Sequence, residues 1–280
     1  MKTLPLLVVL SFFLLTDVVA EEYKFGVTPW QRGQSEDEIK SLYKPMLNWL
    51  GSKTGHNFIL VSTGNYDDTI NNLANGKLDI ASISPVPYVL AKRRNSRINL
   101  LVTELRSESD DQAKTDTYHS YILTLKKNKE IKTVQDLKNK LFGYVTRAST
   151  SGFIYPLNKL EQEGLGYKKS FKRIFFLGSH PGVTDAIKAN SIDAGATWGF
   201  NWNVAKKKHG DIFKPIWKSP PIPNLAIVAH SSMPMALQEK IKKLLLSIKP
   251  ELLDGIPAEG YVERSDSFYD GVRKAMSVRE

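Results

Sequence analysis

Ser149, Thr150 and Ser151 stand in the run Arg147-Ala148-Ser149-Thr150-Ser151-Gly152-Phe153, between two patterned stretches. Leu141 to Val145 is a short apolar run that reads as a buried strand. Ile154 to Glu163 carries Leu157 and Leu160 at helical spacing, and Gly164 is a stop signal. The hydroxyls therefore fall at a strand-to-helix turn. A helix start presents unpaired backbone N–H groups and a partial positive charge. Hydroxyls beside those donors can hold an anion by hydrogen bonds, without lysine or arginine. Serine and threonine are also ordinary helix caps, so on this motif alone a capping role without a ligand stays open.

His180 lies in Gly178-Ser179-His180-Pro181-Gly182, again between a strand and a helix, one unit later in the chain. Loops at the carboxyl ends of neighbouring parallel strands converge on one crevice. His180 is thus a candidate donor to the same ligand, with a satisfied turn histidine as the plain alternative. Tyr66 and Tyr118 lie at element ends and offer phenolic hydroxyls to a buried oxyanion, or else pack as half-buried rings. Tyr88 falls on a helical face, where packing is the simpler role. A Ser-His-Asp hydrolase from Ser149 or Ser151, His180 and Asp193 lacks the G-x-S-x-G elbow. The histidines show no metal-ligand spacing, zinc thiolates are ruled out by the absence of cysteine, and no phosphate loop of the G-x-x-x-x-G-K-[ST] type is present. No cofactor is expected.

The elements that must position these residues alternate. Tyr23 to Val27 and Phe58 to Val61 read as strands, with a helix between them opened by Ser35 and Glu38 at capping-box spacing and disturbed by Pro45. Asn65 opens a second helix that Gly76 closes. Leu78 to Ile83 is a strand, Ser84-Pro85 starts a helix, and Ile98 to Glu104 is a fourth strand. Such alternation predicts a mainly parallel sheet flanked by helices. After the polar stretch Ser107 to Thr117 come a strand over Tyr121 to Leu125 and a short helix over Thr133 to Lys140. Further strands are expected at Arg173 to Leu177, Ile192 to Ala196, Ile212 to Trp217 and Leu225 to Ala229. Helices are expected over Val183 to Asn190, Asn201 to His209, Met235 to Ile248 and Ser265 to Met276. Leu73-Ala74-Asn75-Gly76-Lys77-Leu78-Asp79-Ile80-Ala81 echoes Ile187-Lys188-Ala189-Asn190-Ser191-Ile192-Asp193-Ala194-Gly195, which suggests two similar lobes.

The first residues have the pattern of an export leader: Lys2, an apolar core from Leu4 to Leu15, and a small-residue cleavage site at Val18-Val19-Ala20. Zero cysteines also means no lipid-anchor cysteine, so a free periplasmic protein is expected. The formal net charge is +10, but the lysines are scattered apart from Lys206-Lys207-Lys208 and do not interleave with aromatics. The charge is read as solubility and mild steering of an anion, not as a nucleic-acid surface.

Taken in order, these landmarks resemble the periplasmic solute-binding proteins of phosphonate, phosphite and phosphate ABC importers. They are Gly26-Val27-Thr28-Pro29, Asn65-Tyr66, Gly76-Lys77-Leu78-Asp79-Ile80-Ala81, Pro85 with Tyr88-Val89-Leu90-Ala91, Tyr118, Ser149-Thr150-Ser151-Gly152-Phe153 with Pro156, Gly178-Ser179-His180, and Trp217 to Pro223. The resemblance implies a two-lobed α/β fold of type II character with the ligand in the interlobe cleft. Residues 1–20 would be the leader, 21–120 the first part of lobe 1, 121–223 lobe 2, and 224–280 the return to lobe 1. It implies that Tyr66, Tyr118, Ser149, Thr150, Ser151 and His180 hold the ligand oxygens, with Trp198, Phe200 and Tyr88 as possible walls. Relatives that bind aminoalkylphosphonates carry acids for the amine, expected near Phe200 and just after Pro223. This chain has Phe200 and Asn224-Leu225 there. The implied role is capture of a small phosphorus oxyanion (phosphite, methylphosphonate or phosphate) by a monomer that serves an inner-membrane permease. A ligand sensor for a membrane histidine kinase, or a binder of another tetrahedral anion, would look the same at these positions.

Overall fold

The computed structural model describes residues 20–28, 35–109, 112–167 and 169–277. The expected leader, apart from Ala20, and Pro29 of the first landmark lie outside the described residues. β1 (Glu22–Val27) is followed by α1 (Glu36–Thr54). The Ser35 hydroxyl accepts from Glu38 N at 3.2 Å and the Glu38 carboxylate accepts from Ser35 N at 2.7 Å, the reciprocal box that the spacing predicts. The helix runs on through Pro45 and ends at Gly55, whose φ is +85°. Next come β2 (Asn57–Ser62), α2 (Tyr66–Ala74), β3 (Ile80–Ile83), α3 (Pro85–Arg94) and β4 (Asn99–Leu105). β5 (Thr117–Tyr118) and β6 (Ser120–Leu125) lead to β7 (Leu141–Tyr144), α4 (Tyr155–Gln162), β8 (Arg173–Phe176) and α5 (His180–Lys188). β9 (Ala194–Trp198), α6 (Gly199–His209), β10 (Phe213–Lys218), β11 (Ile222–Pro223) and β12 (Ala226–Ala229) follow. The described chain closes with α7 (Met235–Leu246), β13 (Gly260–Val262) and α8 (Asp270–Ser277).

Two expected helices are shorter than their spacing suggests. Over Thr133 to Lys140 there is one 3-10 turn, Gln135–Leu137. The Asp136 carboxylate folds back onto the N–H groups of Lys132 and Thr133, and Asn139 adopts φ +59°, so the turn is capped and stopped at once. The last helix begins as a 3-10 turn over Asp266–Tyr269 and becomes α-helical only at α8.

The first sheet has the order β13-β4-β12-β3-β1-β2, the second β10-β6-β9-β7-β8. β1 pairs in parallel with β2 and β3, while β12 runs antiparallel between β3 and β4. In the second sheet β7 pairs in parallel with β8 and β9, while β6 runs antiparallel between β9 and β10. Each sheet therefore has four co-directional strands with one antiparallel strand inserted among them, the first sheet adding antiparallel β13 at its edge, and both are mixed. The inserted strand in each case comes from the far side of a crossing between the lobes. At those crossings β5 and β11 pair antiparallel, with Tyr118 opposite Ile222.

The internal echo is a structural one. α2 leads to β3 and α5 leads to β9, and these are equivalent positions in the two sheet orders. Asp79 accepts from Lys24 N at 2.8 Å at the start of β1, and Asp193 accepts from Leu141 N at 2.7 Å at the start of β7. Each carboxylate fixes the neighbouring parallel strand where its ladder begins. Replacing Asp193 by alanine is expected to cost about 1.5–3 kcal/mol, the value of a charge-assisted bond to partly buried backbone. Urea unfolding checks this, and a midpoint equal to wild type would show that the carboxylate anchors nothing.

Candidate ligand-binding site

Four helix starts meet at one cavity of about 120 Å³ between the lobes. Asn65 caps α2, Ser84 caps α3, Ser149 caps a π-helical turn over Thr150–Ile154 that runs into α4, and Ser179 caps α5. All four caps line the cavity. Asn65 Oδ1 accepts from Asp68 N at 2.9 Å, and the Ser149 and Ser179 hydroxyls accept from Gly152 N and Gly182 N, each at 3.1 Å. Ser84 makes no such bond. Val86 N in the first turn of α3 donates instead to Thr150 Oγ1, 2.9 Å away on the other lobe. The two lobes are thus in contact across the cavity. Partial positive charge from all four helix starts falls on the same small volume.

The two halves also match in where they place side chains. Tyr66 is the first residue of the helix after β2, and His180 the first residue of the helix after β8, the equivalent strand of the second sheet. The serine turn follows β7, the counterpart of β1. Its backbone is tight because Gly152 has no side chain. A Cβ there would stand 2.3 Å from Val145 Cγ2 and 2.8 Å from Ser149 Oγ. Gly152→Ala should therefore displace the turn and cost about 1–3 kcal/mol by overcrowding. A thermal melt and a ligand titration check it, and wild-type values in both would show that the turn can yield.

Ser149, Thr150 and Ser151 are each buried, and Ser151 O accepts from Ser120 Oγ at 2.6 Å, which ties the turn to the strand that enters the second lobe. The Tyr66 hydroxyl faces Ser149 and Ser84, and the Tyr118 hydroxyl faces Ser151 and Thr150. Burial raises the pKa of both phenols, so both are neutral donors. His180 is buried, and desolvation lowers its pKa to about 3, which leaves a neutral imidazole. Its Nδ1 lies 3.0 Å from Thr197 Oγ1, and Asn201 Nδ2 donates to that same oxygen at 3.1 Å and to His180 O at 3.2 Å. The ring is held from one side, and it lines the cavity. No aspartate or glutamate lines the cavity among the described residues. The chemistry on offer is hydrogen-bond donation to an anion in a largely desolvated space, where donors count for more than in water.

Tyr66, Tyr118, Ser149, Thr150, Ser151, His180 and Trp198 all line this cavity. Phe200 and Tyr88 do not. Phe200 stacks behind Trp198 with ring centroids 5.2 Å apart. Tyr88 is fully buried against Tyr269, its hydroxyl bonded to Asp266, so it joins α3 to the C-terminal segment instead of walling the site. Of the positions after Pro223, Leu225 reaches the cavity. Asn224 is buried at the crossing, donating to Thr115 O at 2.8 Å. Asp193 is engaged at the strand start described above, so no Ser-His-Asp triad forms.

Arg106 is the wall residue that the sequence reading misses, along with Tyr43 and Ser82. It falls between the strand expected to end at Glu104 and the polar loop expected to begin at Ser107. It is 3% exposed and paired with Glu104 at 2.7 Å. No periodicity marks it; the one available signal is its place directly after an apolar strand, at a crossing between lobes.

The chain matches the model of the ABC transporter phosphonate periplasmic substrate-binding protein family over residues 25–269. It belongs to that family. It is accordingly a binding protein of an ABC transporter, not an enzyme. The phosphate-import protein PhnD of Mycolicibacterium smegmatis is 25% identical over 269 residues, covering 88% of this chain and 83% of that protein. Two solved structures share the fold at 19% identity. PhnD1 of Prochlorococcus marinus, in complex with methylphosphonate, has a TM-score of 0.79 and covers 92% of this chain and 97% of its own. A binding-protein component of an ABC phosphonate transporter from Pseudomonas aeruginosa has a TM-score of 0.78, with 92% and 86% coverage. The architecture is that of type II periplasmic binding proteins. No helix among the described residues is long and apolar enough to cross a bilayer.

Proposed function

We propose that this protein captures a small phosphorus oxyanion without an amine, such as phosphite, methylphosphonate or phosphate, and hands it as a monomer to an inner-membrane permease. The observation that carries this is the meeting of four helix starts at a cavity with several hydroxyls and no carboxylate. Ser149, Thr150 and Ser151, with the neutral donors Tyr66, Tyr118 and His180, are the residues we assign to the ligand oxygens. The β5–β11 ribbon is the hinge on which residues 121–223 move against the rest. An ammonium group would be poorly placed. It would enter a cavity that already holds the Arg106 guanidinium, and it would find Leu225 and Trp198 where it needs an acid. The named relatives agree in class, one solved with methylphosphonate and one named for phosphate import.

Calorimetric titration of the leaderless protein against phosphite, methylphosphonate, phosphate, 2-aminoethylphosphonate and sulfate tests this. Tight binding of one of the first three, with the amine-bearing ligand and sulfate weak, is expected. Preference for 2-aminoethylphosphonate, or for sulfate, would overturn it.

A further inference from the structure

We propose that Arg106 is a second anchor in the same cavity, and that the ligand class extends to short phosphonates bearing a carboxylate, of the phosphonoacetate type. This rests on the phosphorus-oxyanion reading above and adds the group at the other end of the ligand.

Arg106 is 3% exposed, yet its Nε and Nη1 have no hydrogen-bond partner. Only Nη2 is bonded, to Glu104 Oε2 at 2.7 Å. Glu104 is 2% exposed, and its other oxygen accepts from Ser82 Oγ at 2.8 Å. Glu104 therefore neutralises the guanidinium without using up its donors. Buried donors left unmade are costly, and native structures seldom keep them without a use. The guanidinium faces ring planes, with Cζ 4.7 Å from the Trp198 centroid and 5.7 Å from that of Phe200. Its orientation is thereby fixed, and its free N–H groups point in its own plane. The buried Nε1–H of Trp198 is also without a partner, and both residues line the cavity. Together they offer unpaired N–H donors, those of Arg106 carried by a cationic group, to an acceptor.

The position of this anchor sets the length of the ligand. Trp198 is shared by both ends of the site: its indole is 5.9 Å from the Tyr118 ring and 5.7 Å from the His180 ring. The charge on Arg106 acts on Tyr43 and Tyr261, on the first lobe, while the hydroxyl turn belongs to the second. Both ends open on one cavity of about 120 Å³, so a ligand that reaches both is a short one, and phosphonoacetate, with one carbon between phosphorus and carboxylate, is the probe for it. A carboxylate is the natural complement of a guanidinium, whereas an ammonium meets no carboxylate on the cavity wall, which Glu104 does not line.

The test compares phosphonoacetate with carbamoylmethylphosphonate, its neutral amide isostere, by calorimetry, with methylphosphonate as reference. Wild type is expected to bind phosphonoacetate about tenfold tighter than the amide, as a charge-assisted pair exceeds a neutral bond. In Arg106→Gln that ratio is expected to fall close to one. Arg106→Gln leaves Glu104 buried without its cation, so E104Q/R106Q is measured beside it. A ratio near one in wild type overturns the proposal, whether or not the variants fold. A ratio kept in the variants overturns it too, because the preference then comes from elsewhere. If methylphosphonate binds while the wild-type ratio is one, the second anchor alone fails. If wild type binds neither phosphite, methylphosphonate nor phosphate, the phosphorus-oxyanion reading fails and the second anchor with it.

Discussion

Replacing Ser149 by alanine and Thr150 by valine together is expected to remove most of the affinity for the oxyanion. Each hydroxyl has one proton to give and two lone pairs. In both residues a lone pair is already spent on structure: Ser149 Oγ accepts from Gly152 N and Thr150 Oγ1 accepts from Val86 N. The accepting bonds leave each O–H proton for a group in the cavity. A donor lost to a charged oxygen costs about 1.5–3 kcal/mol, so the pair should weaken binding by roughly a hundredfold or more. The Thr150 change also cuts a bond between the lobes, so the complex should dissociate faster as well as bind more weakly. Titration calorimetry reads the affinity, and a melt of the free protein separates it from any loss of stability. Wild-type affinity in the double variant would take the serine turn out of the site.

The second large effect is on acid stability, through His180. Its folded pKa is about 3, below the ordinary 6.5, because burial penalises the charged ring. Between those values the unfolded chain binds a proton that the folded chain does not, so stability rises with pH across this window. The contribution is complete above pH 6.5 and is lost as pH falls toward 3. At the low end the loss from this one group reaches about 5 kcal/mol. The ring's polar neighbours, Thr197 and Asn201, carry no charge to offset this. Thermal melts from pH 7 to pH 4 should therefore fall more steeply for wild type than for His180→Gln, which keeps an amide near Nε2 but does not titrate. Equal slopes would mean that the imidazole is protonated in the folded state.

Much of this was readable in the chain because it is local. Ser35 with Glu38 and the serine turn at Ser149 are cap signals that need only their own turn, and both caps form. The repeated helix-turn-strand around Asp79 and Asp193 pointed to two similar lobes for the same reason. Thr133 to Lys140 holds one turn in place of the expected helix because Asp136, three residues after Thr133 as in a helix cap, turns its carboxylate back onto the turn itself. Tyr88 was legible as a helical-face residue, but not its distant partners Asp266 and Tyr269. Arg106 was missed because its burial comes from Glu104 on the adjoining strand and from Trp198 and Phe200 on the other lobe. A charge stacked between lobes leaves no period in the sequence. The short strands β5 and β11 are recognisable only by pairing with each other.

The central claim is that the hydroxyl turn, the two tyrosines and His180 hold a phosphorus oxyanion where four helix starts meet. A crystal structure of the protein with bound methylphosphonate tests it most directly. The account predicts the phosphonate oxygens within hydrogen-bonding distance of Ser149, Thr150, Ser151, Tyr66, Tyr118 and His180, with the methyl group toward Trp198 and Leu225. A phosphonate lodged on the Arg106 guanidinium, with the serine turn unoccupied, would contradict it.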